Sequence, residues 1–189
     1  MRKGLEVFSK RENNQYAMEP IKLLEKYYSS NSLSLYLLVE HGKAVGKKAL
    51  EAAHNVVHLN PDLQFIEEAA MLHDIGIKYI NAPQLGCYGT EIDVCHGYRG
   101  REMLEKEGLP KHALVCERHV GMMGVTLKDI EQQKLPVPKR DMMPITLEEQ
   151  LICFADKFFT KTKATVHQEK SIDEVRQSLL QFGGDKVDK

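Results

Sequence analysis

The sequence lacks any apolar run long enough to cross a membrane, and it lacks a signal-peptide pattern, because Met1 to Arg11 is charged and has no apolar core. No membrane partner is expected, and the expected location is cytoplasmic. Cys-x-x-Cys pairs are missing as well. The four cysteines (Cys87, Cys95, Cys116, Cys153) read as packed free thiols in a reducing compartment. There is almost no charge excess: a formal net charge of -1 gives no electrostatic reason to expect a nucleic-acid polymer or an anionic membrane surface as partner. No stretch shows convincing alternation of apolar and polar residues, and no segment repeats. What is present is a chain of 189 residues, 42% hydrophobic and 28% charged, suited to one soluble domain with one sizeable core.

Helical spacing dominates that chain. Pro20 to Tyr28 predicts a short helix through Ile21, Leu24 and Tyr28, and Ser32 to about Val57 a longer one through Leu38, Val45, Ala49 and Ala52. Asn60-Pro61 predicts the next start, with Asn as N-cap and Pro in the first helical position, and Gly76 predicts its left-handed end. Asn81 to Asp93 reads as loop. Helices are expected from about Val94 to Glu107, from Leu109-Pro110 to about Val120, and over Lys128 to Lys134, before a loop marked by Pro136, Pro138 and Pro144. Thr146-Leu147-Glu148-Glu149 is a capping-box pattern, and a last amphipathic helix (Ile172, Val175, Leu179) precedes a fraying Gly183-Gly184 tail. The expected class is all-α.

Within these helices lie six residues whose chemistry does not suit their neighbours. His73-Asp74 ends the apolar run Ala69-Ala70-Met71-Leu72, and His73 shares a stripe with Ile66 and Ala70. His41 lies beside Leu38 and Val45, His119 on the stripe of Val115 and Cys116, and His96 next to Gly97 and Gly100, where backbone can approach closely. Asp156 sits between Ile152 and Phe159 at helical spacing. A buried carboxylate without a partner costs several kcal/mol or more, roughly the general penalty for an isolated ion, and a metal would offset it. Any one of these residues alone is better explained as a packed, hydrogen-bonded side chain. Together they propose a site, which His54, His58, His112 and His167 do not join.

The order His41, His73-Asp74, His96, His119, Asp156 resembles the HD superfamily of metal-dependent phosphohydrolases, with the His-Asp-Ile-Gly form of the doublet. Cys95-His96-Gly97 with Gly100 and Met103-Leu104 is similar to the middle motif of the branch that holds two metals. Leu151 to Lys157 is similar to that branch's terminal Ala-Asp-Lys motif. The resemblance runs from about Tyr36 to Lys163 and implies a helical HD-domain bundle over 31–165, with an N-terminal helical extension (1–30) and a C-terminal helix and polar tail (166–189). By the same resemblance one metal would take His41, His73, Asp74 and Asp156, and a second would take His96 and His119 with Asp74 bridging. Two carboxylates and no thiolate favour iron or manganese, with zinc, nickel, cobalt or magnesium as further options.

Two such metal ions would activate a water toward phosphorus and neutralise the phosphoryl oxygens. The implied reaction is hydrolysis of a small phosphorylated substrate, a nucleotide among the candidates. Asp74, Lys78 and Arg99 are expected to serve catalysis, with Arg101, Arg118, Lys139 and Arg140 as further anion holders. Some features depart from the family's patterns. Ile77 separates Gly76 from Lys78, where many relatives have a lysine directly after the glycine, and the Gly-Tyr-Pro signature of cyclic-dinucleotide phosphodiesterases is missing. The same ligand set occurs in mixed-valent di-iron oxygenases of this type, and a non-catalytic nucleotide- or metal-binding sensor is a third reading. A homodimer and a lid over 124–144 stay open.

Overall fold

A computed structural model describes residues 19–180. The charged start Met1 to Arg11 and the expected tail at Gly183-Gly184 lie outside the described residues. The chain is all-α: α1 (Pro20–Tyr27), α2 (Leu33–Asn55), α3 (Leu63–Leu72), α4 (Cys95–Lys106), α5 (Pro110–Arg118), α6 (Leu127–Gln133), α7 (Leu147–Asp156) and α8 (Ile172–Leu180). No described helix is long and apolar enough to cross a membrane. The starts follow side-chain capping. Ser32 accepts from the Leu35 N–H ahead of α2, and Thr126 and Thr146 each form a full capping box, with Asp129 and Glu149 respectively.

α2 is the central element, with α3 and α7 packed along it through Val45, Ala49, Ala53, Ile66, Ala70 and Ile152. A second cluster joins Leu24 and Tyr28 near α1, Leu72, Leu104, Cys116 and Val166, so the residues flanking the central helices share its core. Each fully buried Leu or Ile here contributes roughly 1.5–3 kcal/mol. Gly46 in the middle of α2 has room for more: a Cβ there would meet only the Ala70 Cβ, at 3.5 Å. Glycine inside a helix is worse than alanine by about 0.5–1 kcal/mol. Gly46→Ala is therefore expected to raise the thermal midpoint by roughly 2 °C, and a fall in that midpoint would contradict the packing described.

Three local expectations need correction. Asn60 is no N-cap: it adopts a left-handed conformation (φ 54°) that closes a 3-10 turn over Val57–Leu59, and Asp62 caps α3 instead, accepting from the Phe65 N–H at 3.0 Å. The segment read as loop contains a small antiparallel pair, β1 (Asn81–Ala82) and β2 (Cys87–Tyr88), whose two-residue strands are too short to display alternation. Gly76 does not end a helix in the left-handed region. α3 stops at Leu72, a 3-10 turn follows over Ile75–Tyr79, and Gly76 keeps an ordinary φ. What requires glycine there is contact: a Cβ would lie 2.0 Å from the His96 carbonyl oxygen and 2.5 Å from the Gly100 nitrogen.

The segment 124–144 is tied to the body of the protein. Val125 and Met142 exchange backbone hydrogen bonds at 3.0 and 2.8 Å, and Arg140 pairs with the buried Glu117, which also holds Arg101.

Candidate metal centre

Five chain segments deliver the six residues to one place. His41 comes from the middle of α2, His73 and Asp74 from the exit of α3, His96 from the first turn of α4, His119 from the end of α5, and Asp156 from the last residue of α7. All but Asp156 are nearly fully buried, and the Asp156 side chain is 12% exposed. They divide into two groups with one member in common: His41, His73, Asp74 and Asp156, and Asp74, His96 and His119. Asp74 Oδ2 lies 3.1 Å from His73 Nε2 and 3.4 Å from His41 Nε2, while Oδ1 lies 3.3 Å from both His96 Nε2 and His119 Nε2. Asp156 Oδ1 completes the first group at 3.0 Å from His41 Nε2 and 3.5 Å from His73 Nε2. Each oxygen of a single carboxylate thus faces one group.

The backbone orients the rings. His73 Nδ1 donates to the Ala70 carbonyl at 2.6 Å, His119 Nδ1 to the Cys116 carbonyl at 2.8 Å, and His96 Nδ1 to the Asp93 carbonyl. A proton fixed on Nδ1 leaves the Nε2 lone pair aimed inward, which is the form a metal ligand takes. Among the described residues, His73 Nε2 is buried without a hydrogen-bond partner, while Asp74 Oδ2 has the Lys161 ammonium 2.9 Å away. His96 Nε2 and His119 Nε2 face each other at 3.1 Å, two lone pairs with a cation's place beside them. Buried acceptors left unmatched cost free energy, and a divalent ion in each group would satisfy them. The donor set fits divalent metal ions.

Electrostatics agree that the cluster draws positive charge. Burial works to raise the Asp74 carboxyl, but His73 and Lys161 outweigh it and hold the group well below the usual carboxylate range. Asp156 is held low in the same way, by Lys157, His41 and His73 against burial. Burial would lower His73, yet the two aspartates push it up to about 9, so without a metal its Nε2 holds a proton that a bound cation would replace. His119, which faces Asp74 alone of the two aspartates, is pushed down to about 3, chiefly by burial.

Two residues expected to serve catalysis are not brought to the cluster. Lys78 is exposed on the 3-10 turn, and its ammonium donates to the Tyr27 carbonyl at 3.2 Å on α1; the intervening Ile77 turns the lysine away from the site. Arg99 is spent on structure. Its guanidinium binds Glu91 and Glu102 and lies over the rings of Tyr98 and Tyr79, fastening the hairpin segment to α4. Arg101 pairs with Glu105 and Glu117, Arg118 with Glu149, and Arg140 with Glu117, while Lys139 is exposed.

The cations that do reach the cluster come from beyond α7. Lys157 Nζ lies 2.9 Å from Asp156 Oδ2 and donates to the His119 carbonyl at 3.2 Å. Lys161 Nζ lies 2.9 Å from each oxygen of Asp74. Lys157 stood inside a motif legible in the sequence, whereas Lys161 follows the helix end on irregular chain, where no periodicity marks it. Leu37, Leu38, Ile77 and Leu85 pack around His41, Asp74 and Lys161 and leave no room for a water molecule between them.

Comparison with known proteins bears on the same residues. The family pattern described as HD domain matches residues 38–160. An uncharacterized protein of Methanocaldococcus jannaschii is 35% identical over 129 residues, which are 67% of this chain and 68% of that protein. A tRNA (cytidine(56)-2'-O)-methyltransferase of Thermoplasma volcanium is 26% identical over 170 residues, 89% of this chain and 44% of that protein. The protein of the same name in Picrophilus torridus is 31% identical over 121 residues, 64% of this chain and 30% of its own length. This chain therefore matches less than half of either methyltransferase. No solved structure matches.

Proposed function

Since the chain belongs to the HD domain family, we propose that it is a metal-dependent phosphohydrolase acting on a small phosphorylated molecule, a nucleotide included. The observation that carries the reading is Asp74, whose two oxygens each face one of two His-rich groups. Iron or manganese suits a donor set of imidazole and carboxylate without thiolate. Bound there, two such ions would supply a water of lowered pKa as nucleophile and neutralise charge on the phosphoryl oxygens. The chain's own residues do the rest. His41, His73 and Asp156 hold one side, His96 and His119 the other, and Asp74 fixes the separation between them. Backbone carbonyls keep three of the rings in register. Leu37, Leu38, Ile77 and Leu85 pack against His41 and Asp74 and keep water from that side of the cluster. Methyl transfer, the activity in the names of two relatives, needs a methyl donor beside its nucleophile and makes no use of a buried His–Asp cluster.

The test is phosphate release from a panel of phosphomonoesters and nucleotides, with manganese or ferrous iron supplied, both in air and without oxygen. Metal-dependent release that is equal under both conditions supports hydrolysis. Oxygen consumption without phosphate release would replace it with the oxygenase reading.

A further inference from the structure

Of the two lysines that reach the cluster, one is anchored and one is not. Lys157 is fixed by the His119 carbonyl as well as by Asp156, so its ammonium has a structural seat on the end of α5. Lys161 is different. It extends from irregular chain between α7 and the turn closed by the Val166 N–H on the Thr162 carbonyl, and its side chain is 23% exposed. The ammonium sits in the fork of the Asp74 carboxylate, 2.9 Å from both oxygens. Those oxygens are the same ones that face the two histidine groups. A metal in either group and the Lys161 ammonium therefore need the same lone pairs, and a cation of charge one on a flexible stem yields to a divalent ion. Once displaced, the ammonium can turn toward solvent, since its side chain is already partly exposed.

We propose that Lys161 is a competitor for Asp74 built into the chain, and that on metal loading its ammonium turns from the carboxylate to the phosphoryl group of the substrate. Lys161 is thus a positioning residue for the anion. The proposal rests on the metal-dependent hydrolase reading above.

The test uses the full chain with Lys161→Met and Lys161→Arg, with circular dichroism confirming that each is folded. Manganese affinity is read by competition with a fluorescent chelator, and binding of inorganic phosphate to the manganese-loaded protein by calorimetry. In Lys161→Met, removing the competitor should tighten manganese by about tenfold, since apparent affinity rises with the fraction of protein whose site is open. Phosphate should bind about tenfold more weakly, the loss expected for a hydrogen bond to a charged group. Lys161→Arg, which keeps the charge, should hold phosphate near the wild-type affinity. An unchanged manganese affinity in Lys161→Met, or unchanged phosphate binding, overturns the proposal, since a lysine that merely stabilised the fold would move neither. Wild-type protein that binds no manganese at all would instead remove the metal centre itself, and the proposal with it.

Discussion

Asp74→Ala should yield a folded protein that loses metal from the His96 and His119 group, holds it more weakly beside His41, and releases no phosphate from any ester. The residue belongs to both ligand groups, so its loss leaves His41, His73 and Asp156 on one side and only His96 and His119 on the other. Two neutral imidazoles without a carboxylate make a weak site for iron or manganese. Activity should therefore fall by at least about a thousandfold, the scale on which metal-centred hydrolysis exceeds what is left without its charge stabilisation. Helix content should persist, because Asp74 makes no capping hydrogen bond and lies in a turn between helical segments. The variant also leaves Lys161 without its partner carboxylate, so a modest fall in the thermal midpoint is consistent with the account. Metal content by elemental analysis, alongside turnover, checks it. Near-normal turnover would refute the assignment of the site.

Gly76→Ala should be among the most damaging single methyl additions in the described residues. The added carbon would lie 2.0 Å from the His96 carbonyl oxygen, 2.5 Å from the Gly100 nitrogen and 3.0 Å from the His96 carbonyl carbon, all of them backbone atoms. A flexible side chain could move aside, but a helix backbone cannot without shifting α4 as a body. Overpacking of this kind costs typically about 1–3 kcal/mol and occasionally more, and the absence of any soft neighbour puts Gly76→Ala at or above the top of that range. For a domain of this size that is a fall in thermal midpoint of roughly 6–12 °C. Because α4 carries His96, the displaced helix should also weaken the histidine group that His96 shares with His119 before the group around His41 is affected. Thermal unfolding with and without manganese separates the two effects. A midpoint within a degree or so of wild type would contradict the close approach described, since an overpacked core is felt at about the kcal/mol scale.

The six candidate ligands were legible in the sequence because each breaks a local rule. A carboxylate between Ile152 and Phe159, or a histidine on the stripe of Ile66 and Ala70, has no reason to be there unless something polar meets it. The helices were legible for the opposite reason, in that apolar residues recur at helical spacing and the capping-box pattern at Thr146 marks the start of α7. What stayed hidden depends on contacts between distant segments. The role of Gly76 is decided by His96 and Gly100 on another helix, so a glycine near a helix end was indistinguishable from a cap. Arg99 lies three residues from a ligand, yet Glu91 in the hairpin segment claims it, a pairing no spacing rule expresses. Lys161 approaches Asp74 across 87 positions of sequence from a segment without regular structure. Proximity in sequence to a candidate ligand was a poor guide to which cations reach the cluster.

The most direct test of the central claim counts metal. Protein purified without chelators or a metal-affinity column is analysed for its elements beside His96→Ala and His119→Ala. An arrangement in which Asp74 joins two groups predicts about two equivalents in the wild type and about one in each variant, with the ion beside His41, His73 and Asp156 retained. One equivalent in the wild type, unchanged in both variants, would contradict it and leave a single metal on the group around His41.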